Sequence, residues 1–100
     1  MMSHARVALL RFKPETDFDE IRSKAEQAAT HLRQQAGFLS YTAMRAGDDI
    51  AIVLTVWATR EQGEQGVTAA EQWNRQNLGA LVTSAQGYFG EVILQQQAVA

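Results

Sequence analysis

Cysteine is absent from this chain of 100 residues, which excludes a disulfide framework, a thiolate nucleophile and any cysteine-ligated zinc site. Proline occurs once, at Pro14, and histidine twice, at His4 and His31. Two histidines so far apart do not make a metal site, and none is expected. Neither sign of charge dominates: nine basic and eleven acidic residues leave a formal net charge of -2, spread without blocks. That pattern argues against a nucleic-acid stripe and a polybasic membrane segment. No apolar run approaches the roughly 20 residues of a membrane span. Met1 to Arg6 also lacks the apolar stretch of a signal peptide. The expectation is a cytoplasmic protein with no nucleic-acid and no membrane partner. Carboxylate pairs at hydrolytic spacing are missing, as is a glycine-rich loop opening a helix.

What is present is a core: 46% of residues are hydrophobic, ample for a single domain over residues 1–100. A domain of this size buries only about 60% of the surface its unfolded chain exposes. A partner covering more apolar surface would therefore add stability.

The pattern along the chain alternates strand and helix signals. Arg6 to Lys13 is a short apolar run closed by Pro14, and predicts a first strand. Thr16 or Asp17 can cap a helix whose apolar face is Phe18, Ile21, Ala25, Ala28 and Leu32, with Gly37 as its left-handed stop. Phe38 to Arg45 and Ile50 to Ala58 flank the turn Ala46-Gly47-Asp48-Asp49 and predict a hairpin. Thr59 to Gln62 has capping-box spacing. The helical region that follows carries Gly63 and Gly66, which predict a broken or bent helix. Tyr88 to Gln95 predicts a fourth strand, and Gln96 to Ala100 a polar tail. The order β-α-β-β-α-β is ferredoxin-like: an α+β fold with a four-stranded antiparallel sheet and two helices on one face.

If the helices cover one sheet face, the other needs its own cover. The even positions of the third strand are Ile50, Ile52, Leu54, Val56 and Ala58, and those of the first are Ala8, Leu10 and Phe12. Assigning both sets to the outer face predicts an apolar patch too large for a monomer surface. A homodimer through the face containing Ile52 and Leu54 is the expected cover.

Three features carry a family resemblance: Gly37-Phe38-Leu39-Ser40-Tyr41, Val53-Leu54-Thr55-Val56-Trp57, and the element order around them. The chain resembles the antibiotic biosynthesis monooxygenases, a family of dimeric α+β barrels. The resemblance implies a homodimer of facing sheets, with each pocket between a subunit's own sheet and helices. It also implies a cofactor-independent oxygenase or quinol oxidase acting on a small aromatic or polyketide-like compound. In such oxygenases the deprotonated substrate itself supplies electrons to oxygen, and the protein positions, desolvates and accepts a proton. Haem-degrading relatives use an asparagine and a histidine where this chain has Val7 and Val67, so haem is not expected. Other relatives carry a glutamate near Thr55 and a histidine in the second helix, which here has none. Those departures keep a second reading open, a non-catalytic dimeric domain that binds a small ligand or regulates a neighbour.

The candidate site residues follow. Trp57 is either a flat wall for an aromatic ligand or ordinary core. His31, beside the apolar stripe of the first helix, is the candidate general base, or else a solvated helix-end histidine. Trp73 with Asn77 one turn on offers an indole and an amide, or merely a helix anchor. Arg11, taken to share the helix-facing parity of the first strand, could hold a phenolate or carboxylate; the alternative is a solvated strand end. Pairing Phe38 with Trp57 places Tyr41 on the dimer side, and a slip of one residue reverses that. His4 is expected at the surface or terminus.

Overall fold

In a computed structural model describing residues 2–98, six elements follow in the order expected: β1 (His4–Phe12), α1 (Phe18–Leu32), β2 (Phe38–Gly47), β3 (Ile50–Trp57), α2 (Arg60–Leu78) and β4 (Val82–Glu91). The four strands form one antiparallel sheet in the order β2-β3-β1-β4. This is the ferredoxin-like arrangement.

Local chemistry sets the element ends. Lys13 to Thr16 closes β1 through a turn in which the Thr16 amide donates to the Lys13 carbonyl (3.2 Å). Pro14 suits the second position of such a turn, and Glu15 takes the left-handed third position at φ 67°. Asp17 caps α1 by accepting from the Asp19 amide (2.9 Å), and Thr59 caps α2 by accepting from the Gln62 amide (3.1 Å). α1 ends at Leu32 with Arg33 as its C-cap, so Gly37 is not its stop. Gly37, at φ 80°, instead turns the chain into β2, where its carbonyl accepts from the Ala58 amide (2.8 Å).

Two boundaries correct the expectation. β4 begins at Val82, six residues before Tyr88, and ends at Glu91; beyond it the Val92 amide donates to the Ser3 carbonyl (2.9 Å), and Ile93 and Leu94 are exposed. Its early part reads as loop because Ser84, Gln86 and Gly87 are not strand formers by type. They pair with β1 all the same.

α2 is one continuous helix of 19 residues, not broken by its glycines. Both glycines are buried against the sheet. A Cβ at Gly63 would lie 2.7 Å from the Phe89 ring, and one at Gly66 would lie 2.3 Å from the Trp57 indole. Close packing onto two aromatic rings is therefore what requires glycine.

The faces of β1 are the reverse of those expected. Ala8, Leu10 and Phe12 are buried beneath the helices, on the same face as Ala51, Thr55 and Trp57 of β3. The outer face of β1 is Ala5, Val7, Leu9 and Arg11, which pair with Val56, Leu54, Ile52 and Ile50. Alternation fixes the two faces of β3, but β1 has apolar residues at both parities, so its pattern does not say which set meets the helices.

Candidate functional site

Between sheet and helices the side chains form two clusters. Leu10, Phe12, Ile21, Ala51 and Leu78 make one, joined by Phe18, Trp73, Leu81 and Val82. Leu32, Trp57 and Ala70 make the other, joined by Phe38, Tyr41 and Ala69. Trp57 is 0% exposed. Phe38 meets its ring edge-on at 5.6 Å, and its indole N–H donates to the Thr55 hydroxyl (3.0 Å). Thr55, standing near a position where some relatives carry a glutamate, thus satisfies the one polar atom of a buried indole.

Tyr41 reaches this layer through an irregularity in β2. Phe38 pairs with Trp57, as expected, but Ser40 pairs with Val56, leaving Leu39 as an extra residue. The bulge reverses the alternation that follows, so Tyr41 pairs with Thr55 and faces the helices instead of the outer side. Burial raises the pKa of its phenol above the usual tyrosine value. The hydroxyl is therefore a neutral donor at physiological pH.

A small, partly open cavity of about 30 Å³ lies among Leu10, Ile21, Ala25, Tyr41, Trp73 and their neighbours. Next to it an open cleft of about 370 Å³ runs between α1 and β2. The two share Ile21, Ala25, Ala43 and Ala51. Three alanines in the shared wall keep the separation thin. Phe18 and Arg45 stand at the cleft, the guanidinium 4.1 Å from the ring centroid and donating to the Gly47 and Asp48 carbonyls (3.1 and 3.2 Å).

Of the residues singled out in the sequence, Trp73 lines the cavity. Trp57 is packed on all sides. Asn77 turns its amide back along its own helix, donating to the Trp73 carbonyl (2.9 Å). His31 is exposed in the last turn of α1 and belongs to neither lining. Arg11 is exposed on the outer face, opposite Ile50, which corrects its assumed parity.

The arginine that does face the helices is Arg6. It sits on β1 between Thr55 and Phe89, shares two further clefts with Glu71, and has its side chain 13% exposed. Burial lowers its pKa, and Glu71 opposes that shift. His4 also differs from expectation: it lies within β1, half-buried, with its ring stacked on Phe89 at 5.6 Å and Nδ1 buried without a hydrogen-bond partner. Arg6 shares the even parity of Ala8, Leu10 and Phe12, but that parity faces the helices through contacts the sequence pattern does not show, and the bulge at Leu39 likewise leaves no mark in the pattern.

Among the described residues no cluster of three metal-ligating side chains occurs, and no helix is long and apolar enough to cross a membrane.

These features define an α+β protein of the ferredoxin-like class with apolar space between sheet and helices. The sequence model of the antibiotic biosynthesis monooxygenases matches residues 3–72, well over half the chain. The chain belongs to that family. No curated protein matches it significantly, but solved structures do. A protein of unknown function from Nitrosomonas europaea superposes with a TM-score of 0.82 at 15% identity, covering 100% of this chain and 98% of that one. A variant of SnoaB, a cofactor-independent oxygenase from Streptomyces nogalater, gives 0.77 at 15% identity over 93% and 95%. A conserved protein from Methanosarcina mazei gives 0.74 at 15% identity over 90% and 92%. At such identities the agreement is one of fold.

Proposed function

We propose that the protein is a cofactor-independent oxygenase, of the monooxygenase or quinol-oxidase kind, acting on a small aromatic or polyketide-like compound. The observation that carries this reading is the α1–β2 cleft backed by an apolar cavity, with Tyr41 and Trp73 in the cavity lining. The cavity as it stands has room for about one water, so a substrate entering from the cleft parts α1 from the sheet and leaves bulk water behind, which strengthens every polar contact it makes. The neutral Tyr41 phenol donates to the oxyanion of a deprotonated phenol or enol, and Trp73 supplies an aromatic surface. Tyr41 joins the expected Trp73 in the cavity lining, whereas Trp57, Asn77 and Arg11 are not part of it. No carboxylate or imidazole lines the cavity, so the substrate's proton passes to water or to the Asp19 carboxylate of the adjoining cleft before it is seated. His31 is exposed and lines neither the cavity nor the cleft.

Oxygen uptake with a panel of hydroquinones and anthrones tests the proposal. Turnover that Tyr41→Phe slows on the order of tenfold or more supports it; absence of turnover across the panel refutes it. The second reading, a non-catalytic ligand-binding or regulatory domain, is favoured by that same lack of a base in the cavity. It predicts quenching of tryptophan fluorescence by the same compounds without oxygen consumption.

The assembly proposed with it is a homodimer through the outer sheet face. Val7 and Leu54, cross-strand partners there, are 38% and 37% exposed, and Leu9 and Ile52 pair beside them. Apolar pairs on an open sheet are what a second sheet covers.

A further inference from the structure

We propose that Arg45, at the mouth of the α1–β2 cleft, selects and orients the substrate by holding a carboxylate on an aromatic compound whose phenol or enol lies deeper, at Tyr41. The substrate is thereby narrowed to a hydroxylated, fused-ring aromatic acid that enters with its acid end toward solvent. This deepens the reading of the cleft as the way into the cavity, and rests on it.

Arg45 is exposed, yet its guanidinium is fixed on two sides. Nε donates to the Gly47 carbonyl (3.1 Å) and Nη2 to the Asp48 carbonyl (3.2 Å), while the Phe18 ring covers one face at 4.1 Å. Exposed ion pairs ordinarily contribute little, partly because ordering two long side chains costs entropy. Here the arginine is already ordered before any ligand arrives. Its two bonds to carbonyls use the edge of the guanidinium formed by Nε and Nη2. The other edge, where Nη1 and Nη2 present parallel N–H groups, is the one that takes a carboxylate end-on and bidentate. Among the described residues Nη1 has no hydrogen-bond acceptor, and no carboxylate lies within ion-pairing range of Arg45. The neighbouring Arg22 differs: its side chain is 82% exposed and already lies 3.7 Å from Glu26.

The strand sets the length of the ligand. Tyr41 and Arg45 pair with Thr55 and Ala51 of β3, both buried on the helix-facing side. Four residues apart on one face of β2, they are separated by about 14 Å of strand. Between them stands Ala43, and Ile21, Ala25 and Ala51 lie beside it in the lining, so fused rings have a flat apolar bed. A hydroxybenzoate is too short to reach both ends. A hydroxyl and a carboxylate at opposite ends of fused rings reach both. Asp19, the one carboxylate in the cleft lining, repels added negative charge at the Arg45 end, which favours a carboxylate there over a dianionic phosphate ester.

Calorimetric titration of the whole chain with 6-hydroxy-2-naphthoate and its carboxamide, under anaerobic conditions, tests this without turnover. We expect the acid to bind about fivefold more tightly than the amide, the margin of one exposed but preordered charge-assisted pair. Arg45→Gln removes the margin by weakening the acid alone. Arg45→Lys, which keeps the charge and loses the fork, retains only part of it. Tyr41→Phe weakens both naphthyl ligands by the same factor and leaves 4-hydroxybenzoate unchanged, because that acid cannot reach Tyr41 from Arg45. Equal affinity for acid and amide overturns the proposal, as does an unchanged margin in Arg45→Gln. A margin lost in Arg6→Gln instead would put the acid beside α2 and overturn it too. Should Arg45→Gln fail to fold, Arg45→Lys decides: an undiminished margin there refutes the bidentate anchor. Oxygen uptake is read separately. An acid-selective affinity that depends on Arg45, without turnover, removes the oxygenase reading and keeps the anchor; turnover indifferent to Arg45 does the reverse.

Discussion

Single residues decide how closely the layers pack. At Gly66 two effects oppose each other when alanine is introduced. Alanine favours a helix interior over glycine by about 1 kcal/mol, but its Cβ would fall 2.3 Å from an indole that is 0% exposed and cannot retreat. Overpacking of a filled core costs about 1–3 kcal/mol or more, so the overlap wins. Gly66→Ala is expected to lower stability by a net amount of up to roughly 2 kcal/mol, read as a lower urea midpoint, and a midpoint at or above wild type would contradict this packing. Tyr41 gives a pH signature. Its phenol is held above its usual value by burial, while the unfolded chain releases the same proton near pH 10. Above that pH the unfolded state binds fewer protons, so stability falls as pH rises toward the folded-state pKa. Below it both states are protonated and the effect vanishes. Denaturant midpoints of the wild type and Tyr41→Phe, compared across pH 9 to 11, should keep a constant offset below about pH 10 and shift above it in the variant's favour.

At the scale of elements, turns and a bulge fix what faces what. Glu15 occupies a left-handed position after Pro14 without being glycine or asparagine, a conformation that costs an ordinary side chain roughly 1 kcal/mol. Glu15→Asn should therefore raise the thermal midpoint by a few degrees, an increment of about 0.5–1 kcal/mol; a fall would show that the Glu15 side chain has a stabilising contact. The bulge at Leu39 explains why the candidate site was only partly legible. Element order, caps and the Phe38–Trp57 pairing could be read from Gly37-Phe38, Asp17, Thr59 and the run Ile50 to Trp57. Tyr41 could not be placed, because an extra apolar residue in an apolar strand leaves no mark in the pattern. β1 was ambiguous for a related reason: with Val7 and Leu9 at one parity and Ala8 and Leu10 at the other, only the helices choose the face, and with it whether Arg6 or Arg11 turns inward.

For the whole molecule, assembly turns on the outer face of the sheet. Val7, Leu9, Ile52 and Leu54 form its centre, flanked by exposed Met44 on β2 and by Tyr88 on β4, which is 71% exposed. If a second copy covers this surface, an aspartate at its centre meets another apolar sheet, and burying that charge costs several kcal/mol. Leu54→Asp is expected to sediment as a monomer at concentrations where the wild type is a dimer. A wild-type monomer at micromolar concentration would remove the proposed assembly altogether. The fold was legible because β-α-β-β-α-β follows from turn residues and periodicity. The identity of the inward arginine was not, since it depends on contacts between elements distant in sequence.

The glycines of α2 carry a consequence for how the protein opens. Detached from the sheet, residues 60–68 would hold two glycines within one and a half turns, each weakening a free helix by about 1 kcal/mol. That segment has little reason to stay helical once it leaves Phe89 and Trp57, and the indole has little cover once the segment leaves. Helix and ring should therefore be lost in one local event rather than by gradual fraying. Hydrogen exchange at the amides of 63–67 and solvent access to Trp57 would then report the same opening, with the same free energy.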